Sequence, residues 1–137
     1  MGYTPVREQG DAFHLAIPAK DLAEAERFYV AGLGCKLARR YEDRITLDFF
    51  GDQLVCHRSD EVEEDPSLYP RHFGVTFRSL EAFQRIAALV EQRSLPVFRP
   101  LATRFGGRVE EHLTLVLRDP SNNLVEFKHY LDPRMMY

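Results

Sequence analysis

The side chains best suited to chemistry in this chain are imidazoles and carboxylates, and they recur in a pattern. His14 sits within Phe13-His14-Leu15-Ala16 and His72 within His72-Phe73-Gly74-Val75. In both runs apolar and polar residues alternate, the mark of a half-buried strand with residues i and i+2 on one face. Phe13, Leu15 and Ile17 oppose His14; Phe73, Val75 and Phe77 oppose His72. The apolar sets are expected to face a helix, which turns both histidines inward, to the other side of their sheets. Further on, Gln53, Val55 and His57 share one strand face, and Leu124, Glu126, Lys128 and Tyr130 share another. Aligned by their ends, these strands pair His57 with Glu126, so four potential ligands fall at two repeat-related pairs of positions. Imidazole and carboxylate together suit a borderline or hard divalent ion such as Fe, Mn, Ni, Co or Zn, rather than one that prefers thiolate.

Positioning these residues takes one module written twice. Pro18 is expected to close the first strand. Asp21, three residues before Glu24, has a capping-box-like spacing. Leu22, Ala25, Phe28 and Tyr29 follow at helical spacing, and Gly32 and Gly34 stop the helix. Strands are predicted over residues 35–41, 44–50 and 53–58, with Gly51-Asp52 as the tight turn between the last two. The second half repeats the order. A strand over 72–78 leads to Ser79 as N-cap and a helix with the stripe Leu80, Phe83, Ile86, Ala87 and Val90. A short strand over 96–99 follows, then strands over 111–118 and 124–130, joined by the turn Asp119-Pro120-Ser121-Asn122-Asn123. Each half reads β-α-β-β-β: module 1 over about residues 12–58, module 2 over about 71–131, with an acidic, proline-bearing linker over 59–70. A half of about 50 to 60 residues buries little core alone. One α+β domain over 1–137 is therefore expected, its curved, cup-shaped mixed sheet backed by helices on the outer face.

Bulk properties exclude several roles. The net charge of -3 argues against a phosphate backbone as partner. No apolar run approaches the roughly 20 residues of a membrane span, and residues 1–11 are polar without a signal-peptide core. Cys35 and Cys56 are the two cysteines, expected to be reduced, half-buried thiols of a cytoplasmic protein. The partner left by this reading is a small molecule.

The chain resembles the vicinal oxygen chelate superfamily, the glyoxalase/bleomycin-resistance/extradiol-dioxygenase proteins. The resemblance rests on Phe13-His14-Leu15-Ala16, Asp21-Leu22 and Phe28-Tyr29 through Leu33-Gly34 in the first half. In the second it rests on His72-Phe73-Gly74-Val75 and on Arg118-Asp119-Pro120-Ser121-Asn122-Asn123-Leu124-Val125-Glu126. It covers residues 12–130 and implies paired modules around a metal, commonly in a homodimer. The closest likeness is to small proteins described as predicted extradiol-type dioxygenases. It implies His14, His72 and Glu126 as a two-histidine, one-carboxylate triad on Fe(II), open to a catechol-like or vicinal-oxygen substrate and dioxygen. His57 would then be the catalytic acid/base or a fourth ligand. The usual signature also carries a Tyr where this chain has Val116, and an upstream His at a spacing that His112 does not meet. Glyoxalase- or epimerase-type isomerase or lyase chemistry on Ni, Co, Zn or Mn is the alternative, with His57 completing four ligands. A metal-free small-molecule-binding resistance protein is a third reading, against which the retained ligands count.

Four further side chains are candidates for gripping substrate. Arg104 and Arg108 flank the turn Phe105-Gly106-Gly107, either at the mouth of the cup or as a solvated hairpin tip. Arg118 shares its predicted face with Thr114 and Val116, and Tyr130 shares one with Glu126.

Overall fold

The computed structural model describes residues 6–137. The polar stretch over 1–11 falls partly outside the described residues. The first module contains β1 (His14–Ala19), α1 (Leu22–Glu26), a π-helical turn (Arg27–Gly32), β2 (Lys36–Arg40), β3 (Arg44–Phe49) and β4 (Asp52–Arg58). The second contains β5 (Phe73–Thr76), α2 (Leu80–Gln92), β6 (Val97–Arg104), β7 (His112–Arg118) and β8 (Leu124–Tyr130), followed by a 3₁₀ turn (Pro133–Met136). The strands form two four-stranded mixed sheets, ordered β1-β4-β3-β2 and β5-β8-β7-β6, with β1 parallel to β4 and β5 parallel to β8. The two βαβββ modules of the expected α+β fold are present.

Local chemistry explains the helix starts. Asp21 accepts from the Glu24 backbone N–H at 3.0 Å, and Ser79 accepts from that of Ala82 at 3.0 Å. Each satisfies a donor that the first turn leaves unpaired. After Glu26 the helix widens, and the Leu33 N–H reaches back to the Phe28 carbonyl. The π geometry lets the neighbours Phe28 and Tyr29 both bury their rings. Gly34, at φ +82°, takes the left-handed conformation that ends the segment.

Three sequence expectations shift. The hairpin turn is Phe50-Gly51, one residue earlier than Gly51-Asp52: both have positive φ and Phe49 pairs with Asp52. A two-residue hairpin of this kind needs φ > 0 at both centres, a conformation a bulky side chain rarely adopts. Phe50 is held there by edge-on packing against Phe77 and Phe127 of the other module, at 6.0 and 5.7 Å. Pro18 does not end β1, which runs on to Ala19. β1 is an edge strand, where a missing N–H is tolerated. The short strand expected over 96–99 continues to Arg104, with register shifts around Arg99 and Ala102 that accommodate Pro100.

Both modules contribute to one hydrophobic core. Ile17, Ala25, Phe28, Tyr29, Ile45, Leu47, Leu54 and Cys56 join Phe83, Ile86, Val90, Leu117, Val125 and Phe127 in a single cluster. Polar contacts cross between the modules too. The buried Tyr29 hydroxyl donates to Asp119 at 2.7 Å, Asn123 Nδ2 donates to the Pro18 carbonyl, and Arg93 donates to the carbonyls of Ala31 and Gly32. Asp119 also accepts from the backbone of Ser121 and Asn123, and from Asn123 Nδ2. Burial nevertheless pushes its carboxyl above the ordinary range, because desolvation of the charged form outweighs these hydrogen bonds. Cys35 and Cys56 are free and buried, their thiols pushed up to about 12 by burial. Among the described residues no helix is long and apolar enough to cross a membrane.

Candidate functional site

Parallel pairing decides which residues correspond between the modules. His14 precedes its cap Asp21 by the same interval as His72 precedes Ser79, so these two histidines are equivalent. Ala16 pairs with Val55 in the first sheet, and Gly74 pairs with Glu126 in the second. The position equivalent to Glu126 is therefore Val55. His57 lies two residues further on, opposite Pro18, where the second module has Lys128 opposite Thr76. The pairing of His57 with Glu126 expected from strand ends is corrected by this register.

The second module assembles a compact polar group. The Nε2 of His72 lies 3.2 Å from a Glu126 carboxylate oxygen. The other Glu126 oxygen accepts from the Thr114 hydroxyl at 2.6 Å. Nδ1 of His72 lies 2.7 Å from the Leu68 carbonyl, so the linker orients the ring. The linker is itself fastened by Asn122 Nδ2, which donates to the Glu63 carbonyl. Glu126 is 9% exposed and His72 half-buried. A cavity of about 400 Å³ opens beside His72, lined in part by Pro18, Tyr69, His72, Phe73 and Asn123. Gly74 lies against Glu126 so closely that a Cβ would run into the Glu126 backbone carbonyl. Glycine thus lets β5 approach β8 at the point where the carboxylate is presented.

The other candidates divide clearly. His14 is exposed on the first sheet, its Nδ1 2.6 Å from Oε1 of Gln53. His57 is exposed on the same face. Among the described residues no three His, Cys, Asp or Glu side chains come together, so one chain joins His72 to Glu126 but not to His14 or His57. Tyr130 rises on the Glu126 face and contacts Lys128 Nζ at 3.3 Å. Arg104, opposite His112, packs its guanidinium 5.5 Å from the Phe105 ring centroid. Arg118 lies 5.2 Å from the ring centroid of Phe98, and Arg108 is exposed in the turn after β6. His129 is held by the Phe77 carbonyl, on the face away from Glu126. Sequence reasoning did not single out Thr114 or Lys128. Lys128 shares the alternation face of Glu126 on β8, a local signal, whereas Thr114 reaches that face only through the pairing of β7 with β8.

A duplicated βαβββ unit with a carboxylate on its second sheet, met by a histidine just ahead of that sheet's first strand, defines a recognisable class of protein. The model of the Glyoxalase/Bleomycin resistance protein/Dioxygenase superfamily matches residues 12–127, and the chain belongs to that superfamily. It is 61% identical to a glyoxalase/bleomycin resistance protein/dioxygenase from Alicyclobacillus acidocaldarius, over 96% of this chain and 100% of that one, with a TM-score of 0.93. The genomically encoded fosfomycin resistance protein FosX of Listeria monocytogenes shares the fold at 17% identity, covering 90% and 97% of the two chains, with a TM-score of 0.71. A lactoylglutathione lyase from Agrobacterium tumefaciens does so at 16% identity, covering 90% and 96%, with a TM-score of 0.66. No curated protein matches the chain.

Proposed function

We propose that this chain is a metal-dependent enzyme acting on a small substrate with two adjacent oxygens, its metal centre shared between two copies of the chain. The observation that carries the reading is the meeting of His72 and Glu126. A carbonyl only accepts, so the Leu68 contact assigns the proton of a neutral His72 ring to Nδ1 and leaves Nε2 as a lone pair. That lone pair faces a carboxylate oxygen at 3.2 Å. Two acceptors turned toward each other call for a cation, either a proton or a metal ion. A carbonyl on the far nitrogen and a hydroxyl on the far carboxylate oxygen are the supports that metal ligands commonly have. Gln53 prepares His14 in the same way.

His14 supplies the third donor from a second copy whose first sheet meets the second sheet of its partner. His57 shares the His14 face and enters the same site, placed to carry a proton rather than to ligate, because Val55 occupies the position equivalent to Glu126. His72, Glu126 and the partner copy's His14 would hold iron(II), which would supply the chemistry of an extradiol-type dioxygenase acting on adjacent substrate oxygens. Manganese, nickel, cobalt or zinc in the same donors suits isomerase or lyase chemistry instead. Val55 weakens the four-donor form of that alternative. A metal-free binding role would require a proton, rather than a metal ion, between His72 and Glu126.

The test is elemental analysis of anaerobically purified protein, followed by mixed dimers. His14→Ala and Glu126→Ala each abolish metal binding alone. Purified as the mixed dimer, the pair recovers about half the metal, because one of its two shared sites is then intact. Recovery that fails in a dimer sinks the shared site, and protein without metal after loading with iron(II) sinks the metal reading. Dioxygen uptake dependent on a catechol separates dioxygenase from isomerase or lyase.

A further inference from the structure

Lys128 rises from β8 on the same face as Glu126 and two residues beyond it, so the two side chains leave the sheet about 7 Å apart. It is half-buried, and among the described residues no carboxylate pairs with it. Glu126 itself is engaged by His72 and Thr114. The polar contact Lys128 does make is to the Tyr130 hydroxyl, 3.3 Å from Nζ, with the ammonium 5.3 Å from the Tyr130 ring centroid. An ammonium has three hydrogens to donate, and lysine is seldom withdrawn from water without an anion in return. Because Nζ donates to the Tyr130 oxygen, the hydroxyl hydrogen is free for the same anion.

The neighbours of Lys128 offer it no charge partner, and aromatic rings stand beyond it. In register with Lys128 stand Thr76 and Thr114, both short and uncharged. Beyond it, the buried His112 ring lies 4.6 Å from that of Tyr130 and 5.9 Å from that of Phe105, forming an aromatic wall.

We infer that Lys128, with the Tyr130 hydroxyl, anchors a carboxylate on the substrate whose adjacent oxygens are held at His72 and Glu126. The inference rests on the metal reading above and adds the substrate class: a small vicinal-oxygen compound bearing a carboxylate one side-chain repeat, about 7 Å, from its metal-bound end.

The experiment is calorimetric binding to metal-loaded protein of three probes: protocatechuate (a catechol with a carboxylate), methylcatechol, and a catechol carrying an ammonium group. In the wild type, protocatechuate binds about tenfold or more tightly than methylcatechol, the scale of a charge-assisted hydrogen bond, and the ammonium compound binds weakest. Lys128→Met brings protocatechuate down to the level of methylcatechol with metal content held, and Lys128→Arg restores part of the difference. The wild-type ranking needs no variant, so it stands whether or not Lys128→Met folds. Equal binding of protocatechuate and methylcatechol by wild type overturns the inference. So does a preference that survives Lys128→Met, or metal-loaded protein that binds none of the three. Protein that takes up no metal overturns the metal reading, and this inference with it.

Discussion

The two modules share one plan and differ in what they place on the sheet face away from the helix. In the first, His14 and His57 are exposed, with Gln53 as the hydrogen-bond partner of His14. In the second, Glu126 is buried, and both its oxygens, His72 and the linker carbonyl of Leu68 form one connected group. The repeat keeps the histidine of the first strand and changes the facing residue of the last, Val55 against Glu126. Ala16 against Gly74 is the matching change on the neighbouring strand. One module therefore presents a single imidazole held by Gln53, and the other a pair that no further His, Cys, Asp or Glu among the described residues completes. Such a division is what a site assembled from two copies would have.

The sharpest break in this comparison is to exchange the chemistry at equivalent positions. Glu126→Ala should remove metal binding, a loss well beyond the roughly 10–100-fold expected from losing an outer hydrogen-bond partner. Val55→Ala should leave metal stoichiometry unchanged in elemental analysis, with only the stability loss of a truncated core side chain.

The glycine contrast comes next. Gly74→Ala drives a Cβ into the Glu126 carbonyl, so β5 and β8 must part. Denaturant melts should show a loss of several kcal/mol, about 3 or more, as for other forced backbone rearrangements, together with weakened metal binding. Ala16→Gly, at the equivalent place, should cost only about 0.5–1 kcal/mol and leave metal binding intact.

Thr114→Val sharpens the account of the second module. It removes the hydroxyl that orients Glu126 and should weaken metal affinity by roughly 10–100-fold in competition with a chelator. The fold should persist, because valine fills the same volume.

The smallest expected effect concerns the seam between modules. Burial raises the folded-state pKa of Asp119 above its ordinary value of 3.8. Its titration therefore stabilises the fold fully below about pH 3.8, and that contribution is lost as pH rises through the raised folded value. Asp119→Asn should be less stable throughout, because the new amide meets the Asn123 Nδ2 donor head-on. Its deficit relative to wild type should narrow as pH rises from the ordinary carboxyl value toward neutrality, read from denaturation midpoints across that range. A deficit that widens instead would show that Asp119 is better accommodated as the carboxylate than its burial implies.

Much of this was legible in the residues. The caps at Asp21 and Ser79, the alternation around His14 and His72, and the polar face shared by Glu126, Lys128 and Tyr130 are local patterns, and the fold uses each of them. The hairpin at Phe50-Gly51 was misplaced by one residue, because its first centre carries a phenylalanine where glycine or asparagine is usual. Only Phe77 and Phe127, distant in sequence, explain that choice. The mistaken match of His57 with Glu126 has a related origin. Strand ends say little about register, whereas the parallel hydrogen bonding of β1 with β4 and of β5 with β8 sets it residue by residue.

The sequence by itself determined the order of elements, the face each side chain occupies and the equivalence of the two histidines. Those properties follow from periods of 2 and 3.6 residues and from capping within a single turn. Tertiary structure alone decided that Val55 is the counterpart of Glu126, that Leu68 and Thr114 prepare the His72–Glu126 pair, and that His14 lies on the other sheet. These depend on how segments far apart in the chain pack and pair, and no local spacing encodes the register or the partner that packing selects.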